Sequence, residues 1–187
     1  MRDPANFDQE LADHPPEMRW RIWMGRVEAA IFASAVPLTQ ADLAPIVGQG
    51  VPVEQLVDDI RAELQHRPYT IVDVAGGWAF RTKPRFAAAI RAAADLPAQG
   101  VDLDPFEGAV LAAIAYHQPV TRDGLKEIFG KEVSRDLITR LRRMDLVTTG
   151  PRSPRRGAPH TYVTTPMFLT TFDLHSLRDL PDIDAPH

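Results

Sequence analysis

Arg135, Arg140, Arg142, Arg143, Arg152, Arg155 and Arg156 crowd one stretch of this 187-residue chain. From Arg122 to Arg156, ten Lys or Arg stand against five acids. Guanidinium groups pair with phosphate oxygens, so the chemistry open to this cluster is contact with the backbone of DNA. The alternative is a solvated face beside a loop. Asn and Gln, which favour base edges, are missing from the segment around Arg135 to Arg143, so sequence-specific readout is not expected. Elsewhere the charge runs the other way. Between Gln40 and Arg81 six acids (Asp42, Glu54, Asp58, Asp59, Glu63, Asp73) face Arg61, Arg67 and Arg81. The net charge of −4 argues against a surface built throughout for phosphate.

Other chemistries find little support. The histidines, His14, His66, His117, His160, His175 and His187, form no H-x-x-H or H-E-x-x-H pair, so no metal site is expected. With no cysteine, disulfides, Cys-ligated zinc and a thiol nucleophile are excluded. No carboxylate sits in a Gly-rich or Ser/His frame that organises catalysis. The reading is a protein that is not an enzyme and takes no cofactor. A composition 44% hydrophobic and 25% charged is globular rather than disordered. No apolar run is long enough to span a bilayer, and the polar N-terminus does not read as a secretory signal, so a soluble intracellular protein is expected.

The elements that position these residues come in two sets. Trp23, Val27, Ala30 and Ile31 stripe a first helix over 21–34. Thr39 is an expected N-cap with Asp42 as its capping-box partner, and Gly48 is expected to close the short second helix in a left-handed conformation. Val53, Leu56, Val57, Ile60 and Leu64 stripe a third. "YTIVDVAGGWAFRT" reads as a hairpin, with Gly76 and Gly77 suited to positive φ. Phe86 and Ile90 suggest a closing helix.

The order then repeats 82 residues on: "PLTQADLAPIVG" returns as "PVTRDGLKEIFG", and "TKPRF" as "TTPMF". Phe106, Val110, Ala113, Ile114 and His117 stripe the first helix. Thr121 and Gly130 cap the second, and Val133, Leu137, Leu141 and Met144 stripe the third. "LVTT" and "TYVTT" form the second hairpin. Such a repeat marks a duplicated domain. Three helices and a hairpin are the winged-helix order, so the fold class is mainly α with small β-hairpins (α+β), as two tandem winged-helix domains. The expected boundaries are a disordered tail over 1–19, modules over 20–94 and 104–174, a linker over 95–103 and a tail over 175–187. Trp20, Trp23 and Phe32 supply more large apolar groups than one helix turns inward, which suits an interface. The alternative places Trp23 in the core with Trp20 flanking it.

The segments "AIAYHQPVTRDGLKEIFG", "TTPMFLTTFDLHSLRDLP", "EAAIFASAVPLTQADLAPIVG" and "VAGGWAFRTKPRFA" together resemble the ScpB (segregation and condensation protein B) family of bacteria, over residues 25–183. The chain departs from the usual family pattern at Ile128–Phe129–Gly130, in the second hairpin, and at Phe172–Asp173–Leu174. The resemblance implies a non-catalytic subunit of the SMC condensin complex, in the cytoplasm and associated with the nucleoid. It implies a homodimer through the first module, and a second module that holds the kleisin ScpA and, through it, the SMC ATPase. Tyr116, His117, Gln118 and Arg122 are the kleisin-contact candidates, with Tyr116 as a flat anchor and Arg122 at the polar rim. Tyr116 as a core residue is the alternative. The competing function is a winged-helix transcriptional regulator that binds DNA through the basic module.

Overall fold

Thr39 sets the frame of the first module. In the computed structural model, which describes residues 7–93, 101–154 and 157–182, its hydroxyl accepts the Asp42 N–H at 3.3 Å. The Asp42 carboxylate in turn accepts the Thr39 N–H at 2.9 Å. This reciprocal pair satisfies two backbone donors that a helix start would leave free, and it is the expected capping box. Helix α2 (Gln40–Leu43) follows and runs into a 3-10 turn at Ala44–Ile46.

The chain divides into two compact units, residues 1–96 and 97–187. In the first, α1 (Pro16–Ala33) packs on α3 (Val53–Glu63). Val27, Leu43, Leu56 and Val57 are fully buried at their junction. Each such side chain contributes about 1.5–3 kcal/mol through burial. Strands β1 (Tyr69–Val74) and β2 (Gly77–Thr82) pair antiparallel, and α4 (Ala87–Ala93) closes the unit after a 3-10 turn at Pro84–Phe86. The positive-φ turn residues are Ala75 and Gly76. Gly77 is glycine for a different reason than expected: a Cβ there would lie 2.6 Å from the Leu38 carbonyl oxygen. Leu38 and Trp78 exchange both backbone hydrogen bonds at that approach. Gly48 likewise is not left-handed; a Cβ would meet the Trp23 ring at 2.6 Å.

The expected disordered tail over 1–19 is corrected for its described part. Helix α1 begins at Pro16, and residues 7–15 fold back along it. Leu11 is buried in the core, the Gln9 carbonyl accepts the Trp23 indole N–H at 3.0 Å, and Arg26 donates to the Asp8 carbonyl at 2.8 Å. The segment had an apolar group and backbone acceptors to offer a helix that needed both. Residues 1–6 lie outside the described residues.

The second unit repeats the order with α5 (Pro105–His117), α6 (Arg122–Phe129) and α7 (Arg135–Arg143), then β4 (Val147–Arg152), β5 (His160–Thr164) and α8 (Pro166–Thr171). A short strand β3 (Val120–Thr121) pairs with β5, giving the sheet order β3-β5-β4. Thr121 caps α6, and Gly130 ends it at φ +64° in the left-handed region, both as expected. The α7 stripe differs in detail: Val133 is buried ahead of the helix, and Ile138 joins Leu141 inside.

Two boundary expectations are corrected. Within the linker assigned to 95–103, Val101 and Leu103 pack against the second core, while residues 94–100 lie outside the described residues. The tail assigned to 175–187 is folded as far as it is described. The Leu174 N–H donates to the Leu169 carbonyl, Ser176 caps a 3-10 turn at Leu177–Asp179, and Leu180 packs on the core. Residues 183–187 are not described.

Candidate functional site

Tyr116 sits one residue before the end of α5, half-buried. Its hydroxyl donates to the Pro181 carbonyl at 2.5 Å, which ties the last described residues across the helix. Two clefts open from this bridge. One, of about 340 Å³, is almost wholly apolar; Leu103, Leu111, Phe168, Phe172, Leu174 and Leu180 contribute to its walls. Gly108 and Ala112 on α5 leave its floor free of bulk. The other, wider and more open at about 670 Å³, is bordered by Gln118, Leu177, Arg178 and Asp182. An apolar slot with a polar rim is suited to the face of an amphipathic helix. Most of the wall contributed by Leu174 to Pro181 falls in the segment 175–187 that the sequence presents as a tail. Leu174, Leu177 and Leu180, spaced by three, were the available signal.

The four candidate kleisin contacts do not form one surface. Tyr116 and Gln118 share the wider cleft. Gln118 is also occupied structurally: its amide N–H donates to the Ala115 carbonyl and to Thr164 Oγ1, both at 3.0 Å, and its Oε1 accepts the Thr164 N–H at 2.8 Å. It clamps the end of α5 to β5. His117 is exposed and lines neither cleft. Arg122 faces a different depression, with Arg135 and His160.

Of the arginines assigned to DNA, Arg140 is corrected. It donates to Glu107 Oε1 at 2.9 Å and to the Asp102 carbonyl at 2.8 Å, holding a buried carboxylate. Arg152 donates to the Ala158 carbonyl within its loop. Arg135, Arg142 and Arg143 are exposed on α7, and Arg155 and Arg156 lie outside the described residues.

The dimer candidates separate. Trp23 is 8% exposed, with its indole N–H satisfied by Gln9, so it belongs to the core and is removed from the interface. Trp20 is half-buried and donates to Asp59 at 2.8 Å, linking α1 to α3. Phe32 is 76% exposed and Val36 62%. Phe32 and Tyr69 each meet Phe80 edge-on, with ring centroids 5.8 Å apart. This aromatic row, of which only Phe32 stands out in the sequence, is one apolar patch of the first unit, where Phe7 and Met18 are exposed as well.

Comparison with known proteins decides the family. The family model described as segregation and condensation complex subunit ScpB matches residues 25–183. The chain belongs to the ScpB family. It is 36% identical over 166 residues to segregation and condensation protein B of Moorella thermoacetica, covering 84% of this chain and 81% of that one. It is 29% identical over 163 residues to a segregation and condensation protein B homolog of Coxiella burnetii, at 84% and 77% coverage. The crystal structure of ScpB from Mycobacterium tuberculosis aligns over 82% of this chain and 96% of that chain, at 24% identity and a TM-score of 0.37. ScpB is a segregation and condensation subunit, which places this chain among proteins of chromosome segregation and condensation. Among the described residues of this ScpB chain, no helix is long and apolar enough to cross a membrane. No group of three or more His, Cys, Asp or Glu side chains there could hold a metal ion.

Proposed function

We propose that the protein is a non-catalytic adaptor of the SMC–kleisin condensin complex: a homodimer of tandem winged-helix modules whose second module binds the kleisin ScpA. Membership of the ScpB family supports the complex. The observation that carries the binding mode is the apolar cleft beside the Tyr116–Pro181 bridge. An amphipathic kleisin helix lays apolar residues into it, against Phe172 and Leu180, and meets Gln118 and Arg178 at the rim. The small residues Gly108 and Ala112 let its backbone come close. The first module carries the dimer through the exposed Phe32, Val36 and Tyr69. A third segment meeting each hairpin, Leu38 at Trp78 and β3 at β5, supports reading both units as winged helices. Size-exclusion chromatography with light scattering on the full chain, alone and with the kleisin, tests this. A two-chain mass alone and a larger joint species support it; a lone chain that ignores the kleisin contradicts it.

A further inference from the structure

The cations of the second unit are not scattered. Arg122, at the start of α6, and Arg135, at the start of α7, line one depression of about 350 Å³ together with His160 and Tyr162 of β5. The Arg122 Nε is buried and has no hydrogen-bond partner. Along α7 the charge continues. Arg142 follows Arg135 by seven residues, which returns it to nearly the same face about 10 Å further along the helix axis. Arg143 stands beside it. Phosphates of one DNA strand recur every 3.4 Å or so of axis, so about three steps span Arg135 to Arg142. Two acids weaken this face without reversing it: Asp123 borders the depression, and Asp136 is exposed on α7. A third, Glu132, pairs with Lys126 but also lies within electrostatic reach of Arg122, whereas Glu107 is held by Arg140.

We propose that this face, Arg122 and Arg135 in the depression and Arg142 and Arg143 along α7, grips the phosphate backbone of duplex DNA without reading its sequence. Thr139 and Asp136 are the other exposed side chains α7 offers. Only the arginines could make a paired contact with a base edge, at guanine, and with Arg140 held by Glu107 and the other three on phosphate none is left to discriminate. The grip is additional to kleisin binding, since none of its arginines lines either cleft at Tyr116.

The test is fluorescence anisotropy of the full chain with two labelled duplexes of unrelated sequence, titrated from about 50 to 200 mM salt. Four phosphate contacts give a slope of log affinity against log salt of about −3.6, the same for both duplexes. Substituting Arg135→Gln together with Arg142→Gln, at exposed positions, lowers it to about −1.8. Circular dichroism confirms that this variant is folded, and the slope of the unaltered chain needs no variant. Absence of binding at 50 mM salt, a strong preference for one duplex, or a slope the double variant leaves unchanged overturns the proposal. So does binding of a phosphopeptide by a chain that leaves DNA free.

Discussion

Arg140 reaches across from α7 to Glu107 on α5, 33 positions away in sequence, and donates to its carboxylate at 2.9 Å. Glu107 is nearly inaccessible, whereas the Arg140 side chain is about half exposed. The same carboxylate accepts the Asp104 N–H at 3.0 Å to complete the capping box of α5. Removing the arginine therefore strands a buried charge that also holds a helix start. Arg140→Ala is expected to destabilise the second unit by about 1–3 kcal/mol, less than for a fully buried pair because water reaches the arginine side. Arg142→Ala, on the exposed face, stays within about 0.5 kcal/mol. Urea unfolding of the two variants checks the contrast; equal stability would show that Arg140 is a surface charge like its neighbours.

Phe32 is the most exposed large apolar residue of the first unit, braced edge-on by Phe80. If it anchors the dimer, Phe32→Asp costs on the order of 2 kcal/mol or more of association energy, with little effect on folding. Light scattering should then give the 20.8 kDa mass of one chain. A dimer that survives the charge moves the interface elsewhere.

Asp42 titrates below the ordinary carboxylate range. The chief cause is the Thr39 hydroxyl, which donates to its carboxylate at 2.6 Å, and the Thr39 N–H adds to it. A carboxyl whose pKa is depressed by folding contributes stability that is present above its unfolded value and lost as the pH falls through the folded one. The α2 cap should thus loosen only in acid. Thr39→Ala is expected to move the Asp42 titration, followed by NMR, up toward the unperturbed value of about 3.9. No movement would mean that the cap does not hold the carboxylate.

How much of this was legible in the sequence depends on how far apart the partners lie. The caps at Thr39 and Thr121 and the left-handed Gly130 are set by residues three or so positions away, and all three were readable. The α1 and α3 stripes were readable because burial follows the helical period; in α5 His117 is exposed while Leu111 and Ala115 are buried, and in α7 Ile138 takes a place inside beside Leu141. Gly48 and Gly77 were placed correctly at element ends but for the wrong reason: a close approach to Trp23 and to Leu38 exists only after folding. Trp23 stands both in the helix stripe and among the surplus aromatics, and the Gln9 carbonyl that accepts its indole N–H, 14 positions away, decides for the core. Gln118 and Thr164 are 46 apart, and Tyr116 and Pro181 are 65 apart. No local pattern announces such pairs, so the cleft wall built by the C-terminal segment stayed hidden although Tyr116 itself did not.

Calorimetric titration of ScpA into the full chain is the most direct test of kleisin docking at the Tyr116 cleft. The unaltered protein should bind. Tyr116→Ala, shown by circular dichroism to be folded at the temperature of the titration, should bind more weakly by on the order of 2 kcal/mol, about 30-fold in Kd. A folded Tyr116→Ala protein that binds ScpA as tightly as the original would contradict the account and place the kleisin on another surface.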